Sequence, residues 1–342
     1  MKLSEFAYKL PPELIAQYPL KERDHARLMV IDRQNQTIDH DIFYNIGKHL
    51  KSPSIIVLND SKVIPARLIG KREKTNGKVE VFLLKRLSNP YLYQTLIRPL
   101  RKIKVDEKII FGDGQIYAQL KDVEKRIVGF NKKDISEYIE NFGHIPLPPY
   151  IKRVDNLDDK NYYQTVFARK EGSVASPTAG LHFTKKLLNN LKKEGHKIIK
   201  VTLHINYATF KPVEEQDIEN HKMHSEFYSV GEKSFNELIK AKKQKQTIVA
   251  IGTTSCRVLE TLGKEIALGK NPTLKGNTDI FIYPGYKFHL TDTIVTNFHL
   301  PHSSLLMLVY AFGGTNLMKK AYKEAIKRKY RFYSYGDAMM II

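Results

Sequence analysis

The sequence predicts an α/β core domain carrying an inserted small antiparallel β-barrel domain. Three observations carry that prediction. Short apolar runs such as Ser54–Leu58 and QTIVAIG alternate with helical periodicity on either side of a long middle stretch, as expected of strands joined by helices across a sheet. From Arg67 the texture changes to short strand-like segments, about ten residues apart and separated by Gly, Asn and Asp turns, which suits a small barrel or curled sheet. The chain has 342 residues, enough for roughly two domains with cores of their own. The expected division is a core built from residues 1–66 and 149–342, with residues 67–148 inserted.

Residues 4–28 contain two short amphipathic pieces and the polar cluster Lys21–Arg27, where Arg23, Asp24 and Arg27 make either a surface ion-pair group or an anion site. Leu28–Ile31 and Ser54–Leu58 read as strands, with a helix through Ile42–Leu50 between them. LNDSKVIPARL follows directly, so Asn59, Asp60 and Ser61 stand where an α/β sheet presents ligand-binding groups. In the insert, GKVEVFLLKRL, YLYQTLIRPL, EKIIFGDGQIYAQLKDV and KRIVGF read as strands, and FGDGQ is a hairpin signal. Helical periodicity resumes at Asp134–Phe142, and the Pro-rich IPLPPYIKR returns the chain to the core.

The core then resumes around Gly172–Thr184, GSVASPTAGLHFT. Small residues, hydroxyls, a Pro and two glycines suit a backbone that turns sharply and approaches a ligand, although an ordinary connection has the same composition. Thr184 is the expected N-cap of a helix with Leu187, Leu188 and Leu191 on one face and Gly195 as its stop. HKIIKVTLHI alternates like a strand, with Val201, Leu203 and Ile205 on one face. After a helix at Phe235–Lys245, the strand QTIVAIG runs into GTTSCRVLETLG. Strand, small polar turn and helix in that order offer free backbone N–H groups to an anion or carboxylate. DIFIYPGYKFHLTDTIVTNF reads as a pair of strands around Pro284–Gly285, and LPHSSLLMLVYAFGG as a capped buried helix ending at Gly313–Gly314. A basic helix, KKAYKEAIKRKY, and a final strand in RFYSYGDAMMII complete the chain.

A net charge of +20 points to a polyanionic partner, against the plainer reading of lysines on solvated faces. Nineteen Tyr and sixteen Phe supply stacking surfaces for bases. A single Cys excludes an intrachain disulfide and a multi-Cys zinc site. The most apolar segment, Leu305–Phe312, is far short of the ~20 residues of a membrane span, and MKLSEFAYKLPPELIAQ has no apolar signal run. A cytoplasmic protein with no membrane partner is expected. His221, His224 and Glu226 in HKMHSE fit neither a helical HExxH pair nor a zinc finger, so no metal is expected. A His or Glu of this segment serves as general base or ligand contact, or is a buried structural group. His299 and His302 carry the same alternatives. Ser173, Ser176 and Thr178 lack the G-x-S-x-G elbow of a nucleophile. Neither a Walker A motif nor a complete G-x-G-x-x-G is present, which disfavours ATP and NAD.

Taken in order, these motifs resemble one family, the S-adenosylmethionine:tRNA ribosyltransferase-isomerases that form epoxyqueuosine in tRNA. The resemblance rests on LPPELIAQYP (10–19), LNDSKVIPARL (58–68), GKVEVFLL (77–84), IPLPPYIKR (145–153), YQTVFA, GSVASPTAGLHFT, HKMHSE, AIGTTSCRVLE, TNFHLPHSSLLMLV and YRFYSYGDAM. It spans nearly the whole chain. One segment departs: Asn206, Tyr207 and Ala208 stand where the family pattern carries a Gly-containing run before Thr209-Phe210.

The resemblance implies transfer of the ribosyl part of S-adenosylmethionine to the aminomethyl group of 7-aminomethyl-7-deazaguanine at the tRNA wobble position, releasing methionine and adenine. S-adenosylmethionine would be a cosubstrate, with no permanently bound cofactor, and the protein a monomer. A base, an acid near adenine, carboxylate-binding donors and a basic face for tRNA are needed. On this reading Gly252, Thr253, Thr254 and Ser255, with Arg257 nearby, take the methionyl carboxylate, and Ser176, Thr178, Gly180 and His182 hold the ribose or adenine. His224 or Glu226 is the base, with His182 as the alternative, and Asp60 and Arg67 contact the modified base. Two other classes compete. A tRNA-guanine transglycosylase-like enzyme requires a TIM-barrel pattern and usually a zinc site, and a non-catalytic basic RNA-binding protein would not consume S-adenosylmethionine.

Overall fold

A computed structural model describes residues 1–207 and 212–342. They form two compact units, one of Met1–Lys62, Pro148–Arg153 and Tyr162–Ile342, the other of Val63–Leu147 and Val154–Asn161.

The first unit is built on a mixed sheet of β1 (Arg27–Asp32), β2 (Thr37–Ile42), β3 (Ser54–Asn59), β4 (Lys197–Leu203), β5 (Glu226–Val230), β6 (Thr247–Ile251), β7 (Lys275–Thr278), β8 (Thr293–Asn297) and β9 (Ala338–Ile341). Their order is β7-β5-β4-β3-β6-β8-β9-β1-β2. The central strands β4, β3, β6 and β8 are parallel. Antiparallel β5 and β7 extend one side, and β9 returns antiparallel beside β8 on the other.

Every residue of β3 is buried. Its alternate side chains serve two cores: Ile55 and Val57 join one apolar cluster, Ile56 and Leu58 the other. Ile248 and Ala250 of β6 divide from Val249 and Ile251 in the same way. A parallel sheet covered on both faces demands this unbroken apolar sequence. Helices α1 (Lys185–Lys193), α2 (Glu232–Lys243), α3 (Gly252–Ala267), α4 (Ser304–Gly313) and α5 (Thr315–Lys327) supply the cover. Leu187 and Leu191 of α1 lie in one cluster, and Leu238, Val258, Leu306 and Leu317 in the other. The expected caps form: Thr184 Oγ1 accepts from Leu187 N (3.0 Å), and Ser303 Oγ accepts from Leu306 N (3.2 Å).

The second unit holds a closed antiparallel barrel of strands Arg67–Arg72, Lys78–Arg86, Leu92–Arg98, Lys108–Phe111, Ile116–Asp122 and Ile127–Phe130. Ile116, Ala118 and Leu120 alternate inward along one strand. Register shifts at Leu83/Lys85 and Ile127/Val128 mark bulges of the kind that bend strands into closure.

Two local expectations need correction, and one element was not foreseen. The helix expected through Ile42–Leu50 is a 3-10 helix over Phe43–His49. Thr37–Ile42, to which no element had been given, is an edge strand paired only with β1. No strand pair forms around Pro284–Gly285; strand structure is confined to β7 before it and β8 after it. The reason is Glu260 on α3. Its fully buried carboxylate accepts from the backbone N–H groups of His289 (2.7 Å), Leu290 (3.2 Å) and Thr291 (2.9 Å), doing what a neighbouring strand would otherwise do.

Glu260→Ala therefore strands three donors. At roughly 1–3 kcal/mol for each orphaned buried group, the expected loss is about 3 kcal/mol or more, read as a lowered urea midpoint. An unchanged midpoint would show that the loop stands without the carboxylate.

Candidate active site

A cleft lies at the carboxyl ends of the parallel strands, where open α/β sheets bind ligands. Ile205 follows β4, Gly252–Thr254 follow β6, and Thr296–His299 end β8 and continue beyond it. Ala175–Ala179 form a further wall, and Tyr150, Tyr333 and Ser334 another.

Each wall has a local cause. Ser173 Oγ accepts from Ile205 N (2.9 Å) and donates to Ala175 O (2.7 Å), while Val174 N donates to Ile205 O (3.1 Å). The small-residue loop is thus stitched to the exit of β4. Gly180 fits against Phe167, where a Cβ would come within 2.7 Å of Cζ. Gly252 takes a φ of +86°, which lets β6 turn straight into α3. The N-cap of α3 is Ile251, which has no polar side chain, so the first-turn N–H groups of a sixteen-residue helix are left uncapped beside the cleft. Opposite, Tyr150 and Tyr333 rings stand 4.6 Å apart, and Tyr150 Oη meets Ser334 Oγ at 2.6 Å.

The cleft also gathers polar atoms with unspent bonding capacity. Ser176 Oγ, Thr254 Oγ1 and Asn297 Oδ1 are buried and have no hydrogen-bond partner among the described residues. Native interiors rarely tolerate such atoms without a purpose. Asn297 Nδ2 donates to Tyr333 O (3.0 Å) and contacts His182 Nε2 (3.1 Å). A carbonyl can only accept, which fixes the amide orientation, so Nε2 of His182 is the acceptor and its ring proton sits on Nδ1. Burial pushes the His182 imidazole down to about 4 and that of His299 down to about 3. His299 lines the cleft, with Nε2 2.9 Å from Thr296 Oγ1. Among the described residues no cluster of His, Cys, Asp and Glu could hold a metal ion, and no helix is long and apolar enough to cross a membrane.

A family model described as "Queuosine biosynthesis protein" matches residues 3–341. The chain belongs to the queuosine biosynthesis protein family. It is 53% identical to S-adenosylmethionine:tRNA ribosyltransferase-isomerase of a Sulfurihydrogenibium species and 49% identical to that of a Thermoanaerobacter species, each chain being covered in full. The crystal structure of S-adenosylmethionine tRNA ribosyltransferase from Thermotoga maritima is similar at a TM-score of 0.56 and 37% identity, over 99% of this chain and 100% of that one. These relatives carry enzyme names, and the reading as a non-catalytic RNA-binding protein finds no support among them.

In this queuosine biosynthesis protein, Ser176, Thr178, Gly252, Thr253 and Thr254 come together in the cleft. Gly180 lies on the same loop as a packing residue, and Ser255 is fully buried, its Oγ unpartnered. Arg257 forms a buried ion pair with Glu226, whose Oε1 also accepts from Asn206 N (2.7 Å). Neither Glu226, His182 nor His224 is in the described lining; His224 is exposed ahead of β5. Asp60, buried at the end of β3, accepts from Thr202 Oγ1 (2.6 Å) and pairs with Arg169 (3.1 Å). Arg67 belongs to the barrel unit and pairs with Asp155 (2.8 Å). Of the departing segment, Ala208 and Thr209-Phe210 lie outside the described residues. Sequence reasoning did not single out Asn297, Tyr150, Tyr333 and Ser334; Asn297 ends β8, Tyr333 and Ser334 stand in the polar stretch before β9, and Tyr150 lies in the Pro-rich IPLPPYIKR.

His182 and His299 are neutral when folded, whereas histidine in an unfolded chain titrates near 6.5. Between those values the unfolded chain binds protons that the folded chain refuses. Their contribution is therefore complete above about pH 6.5 and is lost as pH falls toward 4. For His182 alone this amounts to about 3 kcal/mol. The thermal midpoint should drop from pH 7 to 5, and less steeply in His182→Gln or His299→Gln. Equal slopes in all three proteins would contradict the assignment.

Proposed function

We propose that this chain transfers and isomerises the ribosyl part of S-adenosylmethionine onto 7-aminomethyl-7-deazaguanine at the tRNA wobble position. The products are epoxyqueuosine-tRNA, methionine and adenine. S-adenosylmethionine is a consumed cosubstrate, and no resident cofactor is required. One observation carries the reading: a chain matching a ribosyltransferase-isomerase end to end at 53% identity holds, at the carboxyl edge of its sheet, a cleft with uncapped helix N–H groups and unspent hydroxyls.

The methionyl carboxylate rests on the N–H groups of Gly252, Thr253 and Thr254 at the positive end of α3. Ser255 and Arg257 stand behind them on the same helix. The loop carrying Ser176, Thr178 and Gly180 holds the ribose and adenine. The 5′ carbon beside the sulfonium is acidic, and a base removes its proton. Adenine leaves with the glycosidic electron pair and the amine takes its place on the anomeric carbon. The deprotonated 5′ carbon then bonds to the anomeric carbon as that carbon's bond to the ring oxygen breaks, and the freed oxygen closes the epoxide on the 5′ carbon as the carbon–sulfur bond breaks to release methionine. One proton is released overall.

The base in this reading is His224. Glu226 is committed to Arg257 and Asn206, and the acceptor nitrogen of His182 is occupied by Asn297. His224 has no hydrogen-bond partner among the described residues. The net charge of +20 supplies the attraction for tRNA.

Incubation with S-adenosylmethionine and tRNA carrying the aminomethyl-deazaguanine, followed by mass spectrometry, tests the reading. Adenine, methionine and a ribosyl-sized gain on the wobble nucleoside are expected; a methyl-sized gain overturns the mechanism. His224→Ala should lower turnover by roughly 10²–10⁴-fold while cosubstrate affinity is kept, and wild-type turnover would remove His224 from the chemistry. Affinity for tRNA should fall with salt by about 0.9 log units per log unit for each phosphate neutralised. A flat dependence contradicts the electrostatic role of the charge.

A further inference from the structure

We infer that Asn297 determines specificity in this cleft: its Oδ1 accepts from the α-ammonium group of the cosubstrate's amino-acid end, while the carboxylate of that end rests on the start of α3. The inference deepens the proposed function and rests on it.

The amide cannot turn around. Nδ2 spends its hydrogens on Tyr333 O (3.0 Å) and His182 Nε2 (3.1 Å), and a flip would set Oδ1 against a carbonyl oxygen. Oδ1 is therefore the atom left over. It is an acceptor with no donor among the described residues, on a side chain 1% exposed that lines the cleft. An acceptor-only atom in such a place calls for a ligand N–H, and an ammonium gives the strongest such bond available.

The donors for the carboxylate lie at the exit of the neighbouring strand. Ile251 of β6 is level with Val295 of β8. Asn297 ends β8 two residues beyond Val295, Thr253 lies in the first turn of α3 two residues beyond Ile251, and both line the cleft. Donors for an anion and an acceptor for a cation thus meet one cleft from the exits of two adjacent strands. An ammonium and a carboxylate joined through a single carbon match the pair. His182 contributes as a positioning residue, since its unprotonated Nε2 holds the amide in place.

Calorimetric titration of the whole wild-type chain compares S-adenosylmethionine with its analogue bearing hydrogen in place of the α-amino group. The analogue should bind about tenfold to hundredfold more weakly. In Asn297→Ala the two ligands should bind alike, within about twofold. His182→Gln, which keeps an acceptor for Nδ2, should preserve the discrimination, and His182→Leu should abolish it; a purely structural histidine would shift both affinities together. Equal wild-type affinities for the two ligands would overturn the inference and leave the proposed function standing. Absence of S-adenosylmethionine binding by folded wild-type protein would overturn both. The wild-type comparison decides even if an Asn297 variant fails to fold.

Discussion

A strand buried on both faces can carry no polar chemistry along its length; it can present such groups only where it ends. That constraint governs the α/β unit. Between their polar first residues, Ser54 and Thr247, and their exits at Asn59 and Gly252, strands β3 and β6 divide their side chains between two apolar clusters and offer nothing else. Because β4, β3, β6 and β8 run parallel, their ends fall on one edge, and β9 returns antiparallel so that Tyr333 and Ser334 arrive there from the opposite direction. The cleft is a consequence of topology before it is a consequence of any one residue.

What separates this edge from an ordinary rim is the division between satisfied and unsatisfied groups. Ser173, Asp60, Glu260 and Glu226 spend their bonding capacity inside the fold, Glu226 on Arg257 and Asn206. A buried ion pair adds little net stability, because desolvation offsets the attraction, yet removing one partner leaves a costly lone charge. Such groups fix the geometry of the walls. Ser176, Thr254 and Asn297, a few residues away, leave an atom unspent. Committed groups behind and uncommitted groups in front make a pre-organised binding surface, in which little has to be rearranged when the ligand arrives.

Much of this was legible in the chain. Small polar residues packed between apolar runs can scarcely serve a core, so Gly172–Thr184 and Gly252–Ser255 stood out before any fold was known. The change of period at Arg67 marked the start of the barrel, because strands about ten residues apart with Gly/Asp turns suit little else. What stayed hidden depends on partners distant in sequence. Nothing local in DIFIYPGYKFHL reveals that Glu260, on another element, takes up the N–H groups at its end. TIDHDI becomes a strand only because β1 offers an edge. Asn297 gains its meaning from His182 and Tyr333, which lie 115 and 36 residues away in the chain. His224 and Glu226 shared a motif, yet the fold gives Glu226 a buried partner and leaves His224 exposed.

The most direct test of the account is a crystal structure of the chain with S-adenosylmethionine bound. The account predicts its amino-acid end between Gly252–Thr254 and Asn297, with the nucleoside along the Ser176–Thr178 loop. A second cleft lies at the opposite end of the sheet, lined by Arg33, Lys51, Lys242 and Asp292. Cosubstrate seated there, or anywhere away from the carboxyl ends of β6 and β8, would contradict the account.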